Sequence, residues 1–268
     1  MPDTRWRPEL YLQFGAERTR PFIDLLSRIP LETVELIVDL GCGPGNGEPP
    51  LRAFWPQAHI TGVDSSFDMI QQARENTSDT NVSYLHQDLR EWMAESKNVK
   101  PQMIVSNAMF QWVEGHLEFL PRVADAVDDG GVFAFQVPGN FDAPSHVLLR
   151  EIAAQPRYAE HITEKLRDTV IRADQYLEKL NRPGWSVDAW ETTYLHQLEG
   201  EHPVYDWISS TGARPVLNAL TGQKREQFIA EYKEALTDAY PVGDLGDGRR
   251  GTVLPFRRIF IVAHRVSR

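Results

Sequence analysis

The sequence predicts an α/β fold in which helices cover both faces of a mostly parallel sheet. From about residue 34 to 138, short runs rich in β-formers alternate with segments of helical periodicity, as in βαβ units. Each run is apolar on both faces, which is typical of strands buried between two helical layers. The five predicted strands are Leu36–Leu40, His59–Asp64, Val82–His86, Met103–Asn107 and 132–137.

Helices are predicted where apolar residues recur every three or four positions. The stripes between the strands are Met69-Ile70-Ala73 and Leu117-Leu120-Ala124-Val127. Gly130-Gly131 then ends the second of these helices and allows the next strand to begin. Upstream, another stripe predicts a helix over residues 17–29, with Pro21 in its first turn.

The alternation stops after residue 137, and helical segments broken by prolines follow. Residues 186–198 and 257–266 carry the pattern of two late strands, so the predicted sheet has seven strands. Further helical segments lie between these strands, at 204–210, 215–220 and 223–240. We expect one integrated domain. Residues 1–140 form an N-terminal flap and the core, and 141–268 supply helical cap insertions and the last two strands.

Length and composition exclude several classes of protein. The chain has 268 residues, 41% of them hydrophobic, with 38 acidic against 28 basic side chains and a net charge of −10. Such a chain buries a sizeable core, which excludes disorder over most of its length. Its negative charge disfavours nucleic acid, whose binding depends on neutralising phosphates. No apolar run approaches the roughly 18 residues of a membrane span, and the first nine residues lack a signal peptide's apolar core.

The single cysteine bears on compartment and chemistry. It forms neither an intrachain disulfide nor a cysteine metal cluster, so we predict a cytoplasmic location and no metal site. Cys42 has no histidine near it in sequence. We therefore interpret it as a packing residue rather than a nucleophile.

The most specific motif follows the first predicted strand, in Val38-Asp39-Leu40-Gly41-Cys42-Gly43-Pro44-Gly45-Asn46. Glycines at alternate positions let the chain turn tightly and let backbone N–H groups approach a ligand. The dinucleotide fingerprint requires glycine where Asn46 stands, so that fingerprint fails. An acidic residue, Asp39, followed by three alternating glycines is a different pattern.

Two more acidic residues lie at predicted strand ends. Asp64 ends the second strand, where a carboxylate accepts hydrogen bonds from ribose hydroxyls, and Asp88 follows the third. Together with the glycine loop, this set resembles the class I methyltransferases, which bind S-adenosylmethionine on a Rossmann-like fold. The resemblance implies that Asp88 lies near the adenine amino group. Taken singly, Asp64 or Asp88 is also typical of a helix cap.

A closer resemblance covers nearly the whole chain. The segments that carry it are Tyr11-Leu12-Gln13-Phe14, Arg18-Thr19-Arg20-Pro21, 39–46, Asp64-Ser65-Ser66, Ser106-Asn107-Ala108, Gln111-Trp112, 192–197 and 256–263. They are similar to the trans-aconitate methyltransferase family, whose members transfer a methyl group from S-adenosylmethionine to a carboxylate of trans-aconitate. One departure is visible at Gly47-Glu48-Pro49-Pro50, where small hydroxyl residues are expected; the prolines suit a first helical turn.

The motifs and the resemblance together define candidate site residues. Those for the cofactor are Tyr11, Asp39, Gly41, Gly43, Gly45, Asn46, Asp64, Ser65, Asp88, Leu89, Asn107 and Trp112. A tricarboxylate substrate requires cations and hydrogen-bond donors. The candidates are Arg150, Tyr194, His196, Arg214 and Arg258, with Arg172, Arg257 and His146 in the same region. Each of these is open to interpretation as a surface or packing residue. No catalytic residue is predicted, because a carboxylate is ionised at neutral pH and needs only positioning.

Three other functions remain open from the sequence. The same cofactor motifs suit a class I methyltransferase that acts on another small acid or on a neutral metabolite. A nicotinamide-dependent oxidoreductase is disfavoured by the missing sixth-position glycine. The third alternative is a non-catalytic protein that binds the cofactor.

Overall fold

The structure, a computed structural model, describes residues 15–95, 100–162 and 170–266. The predicted N-terminal flap, with Tyr11 and Phe14, lies outside the described residues. Within the described ranges, no helix is long and apolar enough to cross a membrane.

The described strands form one mixed sheet. They are β1 (Leu36–Leu40), β2 (His59–Asp64), β3 (Val82–His86), β4 (Met103–Asn107), β5 (Val132–Pro138), β6 (Trp185–Glu199), β7 (Gly243–Gly246) and β8 (Arg249–Arg265). Their order is β3-β2-β1-β4-β5-β8-β6, and β7 pairs with β8. β1 to β5 are parallel to one another, and β8 is antiparallel to β5. The predicted seven-strand, mostly parallel sheet is confirmed, with β7 as an addition.

Helices connect the early strands and make up much of the later chain. They are α1 (Gly15–Leu26), α2 (Glu48–Phe54), α3 (Phe67–Asn76), α4 (Leu89–Glu95), α5 (His116–Ala124), α6 (Pro144–Ala153), α7 (Pro156–Ala159), α8 (Ala173–Leu180), α9 (Pro203–Ser209), α10 (Arg214–Ala219) and α11 (Gly222–Ala239). Pro49 and Pro50 fall in the first turn of α2, as predicted. A missing N–H costs nothing there, because the first helical N–H groups have no intrahelical partner.

The described chain divides into two compact units. The sheet unit comprises 18–95, 100–138, 170–192 and 258–266, and the cap unit comprises 15–17, 139–162 and 193–257. Each has its own apolar core. Fully buried Phe133, Phe135 and Ile261 belong to the core of the sheet unit, and Trp207 and Tyr232 to that of the cap unit. The predicted boundary near residue 140 and the single integrated domain stay predictions.

The last strand begins earlier than the sequence predicts. β8 starts at Arg249 rather than at residue 257, and its first residues pair with the short strand β7. Periodicity misses β7 because Gly-Asp-Leu-Gly contains no β-branched or aromatic residue. Gly251 permits the extension, since a Cβ there would collide with the backbone oxygen of Leu198.

Candidate active site

The glycine loop follows β1 and is hydrogen-bonded to the neighbouring strand. The N–H groups of Gly41 and Cys42 both donate to the carbonyl oxygen of Val63, at 2.7 and 3.1 Å. The Gly43 N–H donates to Oδ2 of Asp64 at 3.0 Å. The loop is therefore held at the carboxyl ends of β1 and β2, where parallel α/β sheets bind ligands.

Two of the loop glycines have distinct physical requirements. Gly41 has φ +75°, and a Cβ there would collide with the Met109 side chain, so this residue allows a close approach between the ends of β1 and β4. Gly43 has φ +54°, but a Cβ there would meet no described atom within 4 Å. The backbone at Gly43 thus faces open space, as a loop that accommodates a ligand requires.

Asp39 is a buried acid on β1. Its side chain is 4% exposed, and Oδ1 has no hydrogen-bond partner among the described residues. Burial, with a smaller contribution from the charge of Asp64, raises the pKa of Asp39 from 3.8 to about 7. A cationic ligand would favour the ionised form of this carboxyl group.

Asp64 stabilises the turn that leaves β2. Besides Gly43, its carboxylate accepts the N–H of Ser66 through Oδ1 at 2.8 Å. Ser66, rather than Asp64, is the N-cap of α3, since its Oγ accepts the N–H of Met69. Half-buried Asp64 therefore contacts the glycine loop, exposed Ser65 follows it, and the helix-cap interpretation does not apply to Asp64.

Asp88 does cap a helix. Its Oδ1 accepts the N–H of Arg90 at 2.8 Å, and Glu91 accepts the N–H of Asp88 at 3.0 Å, so the two side chains cap the start of α4. Oδ2 accepts no hydrogen bond from the described part of the chain, and the side chain is 44% exposed. The cap thus leaves one carboxylate oxygen for a ligand, while the next residue, Leu89, is buried in the core.

Strand register places several polar residues on one face of the sheet. Asp39 pairs with Gly62 on β2 and with Val105 on β4, and Asn107 pairs with Gln136 on β5. Because side chains alternate along a strand and paired residues share a face, Asp39, Asp64, Asn107 and Gln136 lie on the same face. Gln136 was missed from the sequence, although a lone glutamine in an apolar strand was a usable signal.

The remaining loop candidates differ in exposure. Asn46 is exposed, and Trp112 is 44% exposed in a single turn of 3₁₀ helix over Phe110–Trp112. Cys42 is buried against Gly62. Burial, followed by the charges of Asp39 and Asp64, raises the pKa of the Cys42 thiol far above its ordinary value, which agrees with a packing role.

Two arginines of the cap unit are anchored to one short segment. Arg150 donates from Nη1 to the carbonyl oxygen of Phe141 at 2.7 Å, and Arg257 donates from Nε to that of Gly139 at 2.7 Å. The Asn140 side chain also bonds both the N–H and the carbonyl oxygen of Arg257. Each of these two guanidinium groups is therefore tied to the backbone of residues 139–141.

The other substrate candidates lie in varied surroundings. Tyr194 and His196 are buried and stacked, and His196 also stacks on Trp207 at 4.6 Å, so packing accounts for their position. Arg214 is half-buried at the start of α10, and Arg258 is buried in the sheet unit. Burial, with a smaller effect of the Arg150 charge, lowers the pKa of His146 to about 4.

Exposed Arg172 pairs with Asp174 at 2.7 Å, as a surface residue does. Among the described residues, no cluster of His, Cys, Asp or Glu has the arrangement of a metal site.

The strand-end residues fit S-adenosylmethionine, which combines a ribose, an adenine and an amino acid with a positively charged sulfur. Asp64 and Asp88 offer carboxylate oxygens to hydroxyl and amino groups, and Gly43 leaves space beside them. The buried Asp39 oxygen, which has no donor in the described part of the chain, is a group that a cationic ligand would stabilise. A nicotinamide dinucleotide fits less well, because the fingerprint of its binding loops requires a glycine at the position of Asn46.

Comparison with known proteins agrees with this description. Residues 14–187 match a family described as a methyltransferase domain. A solved putative methyltransferase from Bacillus halodurans shares the fold at a TM-score of 0.55 and 11% identity, covering 92% of this chain and 98% of its own. A phosphoethanolamine N-methyltransferase from Haemonchus contortus, solved with S-adenosyl-L-methionine, gives a TM-score of 0.54 at 16% identity over 93% of this chain and 53% of its own. The fold and the site thus define a class I, S-adenosylmethionine-dependent methyltransferase.

Curated relatives narrow this class. A trans-aconitate 2-methyltransferase from Streptomyces avermitilis is 46% identical over 97% of this chain and 97% of its own length. One from Escherichia coli O7:K1 is 39% identical over 98% of this chain and 99% of its own. The chain belongs to the trans-aconitate 2-methyltransferase family.

Proposed function

We propose that this chain transfers the methyl group of S-adenosylmethionine to a carboxylate of trans-aconitate, giving a monomethyl ester and S-adenosylhomocysteine. The observation that carries the cofactor assignment is the set of carboxylates and the open glycine loop at the ends of β1, β2 and β3. The names of the relatives, at 39 to 46% identity over nearly the whole chain, support trans-aconitate as the substrate.

The chemistry requires positioning more than proton transfer. S-adenosylmethionine supplies the methyl group on a positively charged sulfur. The attacking carboxylate is already ionised at neutral pH, so the chain needs no general base. Holding two reactants in line contributes about 7–11 kcal/mol of the barrier in well-oriented systems. The Asp64 and Asp88 carboxylates are suited to fixing the cofactor side of this arrangement.

The substrate side requires cations, and arginine binds carboxylates with two parallel hydrogen bonds. Arg150 and Arg257 are the best-supported candidates, because the guanidinium group of each donates a hydrogen bond to a backbone carbonyl of residues 139–141. Such anchoring fixes a long side chain before the ligand arrives and so lowers the entropic cost of binding. Tyr194, His196, Arg214 and Arg258 remain candidates from the sequence.

The test is a substrate panel with purified protein and methyl-labelled S-adenosylmethionine. We expect label to transfer to trans-aconitate in preference to cis-aconitate, citrate and isocitrate, and alkali to release it as methanol from the ester. Transfer to another acid only would replace the substrate and keep the reaction class. Binding of S-adenosylhomocysteine with no transfer to any metabolite would contradict the proposed activity.

The predicted location of the chain is the cytoplasm, which cell fractionation tests.

A further inference from the structure

A chain of polar side chains crosses three neighbouring strands of the sheet unit. Arg258 on β8 donates from Nη1 to Oε1 of Gln136 on β5 at 3.4 Å. Gln136 in turn donates from Nε2 to Oδ1 of Asn107, at the end of β4. Register explains the alignment, since Gln136 pairs directly with Asn107 and lies one diagonal step from Arg258.

The inner members of this chain are shielded from water. Gln136 is 1% exposed and Arg258 is 6% exposed. A buried carboxamide needs partners for both its oxygen and its nitrogen, because each unsatisfied polar atom destabilises the fold. A glutamine between an arginine and an asparagine meets that need in one orientation.

The arginine determines the orientation of both carboxamides. A guanidinium group donates hydrogen bonds and accepts none, so Gln136 must turn Oε1 toward Arg258. Its Nε2 then faces Asn107, which must accept through Oδ1. Within the described part of the chain, Nδ2 of Asn107 has no acceptor. Asn107 therefore presents a donor, rather than an acceptor, at the end of β4.

The backbone next to Asn107 is held in a strained conformation. Ala108 has φ +57°, a left-handed conformation that is unfavourable for a residue with a side chain. Two hydrogen bonds maintain it: the Ala108 N–H donates to the Gln136 carbonyl oxygen at 3.0 Å, and Gln111 donates to the Ala108 carbonyl oxygen at 2.5 Å. Such strain is typical of functional sites, and Asn107 shares its sheet face with Asp39 and Asp64.

We propose that Gln136 and Arg258 are positioning residues that fix the Asn107 carboxamide so that Nδ2 donates a hydrogen bond to a ligand carboxylate. This inference rests on the proposed function, since the carboxylate belongs to either the methionine part of the cofactor or the acid substrate. It also reassigns Arg258, a candidate substrate contact from the sequence, to a role through Gln136.

The decisive variant is Gln136→Glu. A carboxylate still accepts from Arg258 but cannot donate to Asn107, so Asn107 turns Nδ2 inward and presents Oδ1 to the ligand. We expect the ligand whose carboxylate contacts Asn107 to bind at least about tenfold more weakly. Two quantities are measured: the Kd of S-adenosylhomocysteine by calorimetry, and KM and kcat for trans-aconitate. Gln136→Met, which removes both polar atoms, takes its place if the Glu variant does not fold.

A double-mutant cycle tests whether Gln136 acts through Asn107. We expect Gln136→Glu to cause no further loss, within about twofold, in an Asn107→Ala background. Losses that multiply would overturn the inference. The matched control is Gln102→Glu, because Oε1 of Gln102 only accepts, from the N–H groups of Glu35 and Leu36, and a glutamate does the same.

The two measurements separate the sources of the carboxylate. Coupling in the calorimetric Kd assigns it to the cofactor, and coupling in KM alone assigns it to the substrate. No coupling in either contradicts the inference. If the wild-type protein does not methylate trans-aconitate, the proposed function fails by itself, and the calorimetric cycle then decides the inference.

Discussion

The Gly43 amide donates a hydrogen bond to Oδ2 of Asp64 at 3.0 Å, which joins the glycine loop to the end of the neighbouring strand. The other oxygen of Asp64 accepts the N–H of Ser66 at 2.8 Å. One carboxylate therefore supports both the loop and the turn into α3. Asp64 therefore shapes the glycine loop itself.

Replacing Asp64 should damage binding and stability together. We expect Asp64→Ala to weaken S-adenosylhomocysteine binding by roughly tenfold or more, because hydrogen bonds to charged groups contribute about 1.5–3 kcal/mol each. Calorimetry measures the Kd, and urea unfolding measures the loss of stability. Asp68→Ala is the control, since Asp68 is an exposed acid in the first turn of α3. Equal effects of the two variants would contradict a specific role for Asp64.

Gly43 provides a probe of where the cofactor lies. We expect Gly43→Ala to reduce the affinity for S-adenosylhomocysteine at least tenfold, because the added methyl group enters space that the ligand needs. Gly184→Ala is a close control: Gly184 also has a positive φ and open space around its Cα, but it lies outside the loop. Both substitutions should cost about 1–2 kcal/mol of backbone strain. If calorimetry shows unchanged binding in Gly43→Ala, the ligand lies elsewhere.

Much of the sheet was predictable from the sequence for a physical reason. Parallel strands buried on both faces are short apolar runs, and β1 to β5 stand out against their polar helices. The glycine loop was equally visible, because only glycine serves where Met109 approaches Gly41. β7 was not visible, because its stability comes from pairing with β8 rather than from its own residues.

The site was less predictable than the sheet, because register rather than spacing assembles it. The partnership of Gln136 with Asn107 depends on how β4 and β5 align, which no local pattern reveals. Arg258 illustrates the same limit: its charge suggested a substrate contact, and the antiparallel register of β8 buries it beside Gln136. Asp88 combines a helix cap with its predicted position at a strand end.

Asp39 should make stability depend on pH. Its pKa is about 7 in the folded chain, against an ordinary value of 3.8 that applies to the unfolded chain. Between these pH values folding takes up a proton, so the free energy of unfolding falls as pH rises from about 4 to 7. Asp39→Asn removes this dependence. We expect the stability difference between the two proteins to change by up to about 4 kcal/mol across this range, in favour of the variant at high pH. Urea unfolding at pH 5 and pH 8 measures the stability of both proteins. The same stability difference between wild type and variant at both pH values would contradict the raised pKa of Asp39.

Arg150 tests the substrate side of the proposed function. We expect Arg150→Ala to raise KM for trans-aconitate by roughly tenfold or more while leaving the Kd of S-adenosylhomocysteine within about twofold, because a lost arginine–carboxylate pair removes about 1.5–3 kcal/mol. Arg150→Lys should recover part of the loss, since an ammonium group keeps the charge but not the two parallel bonds.

The control for this experiment is Arg172→Ala, which removes an exposed arginine paired with Asp174. Arg150 also bonds the Phe141 carbonyl oxygen, so melting temperatures of all three variants separate a local binding effect from a general loss of structure.

The Arg150 charge contributes to the low pKa of His146, so Arg150→Ala should raise that pKa above about 4, which NMR titration of the imidazole detects. An unchanged KM in a folded Arg150→Ala protein whose His146 pKa has risen would exclude Arg150 as a substrate ligand and leave Arg257 as the better-supported candidate.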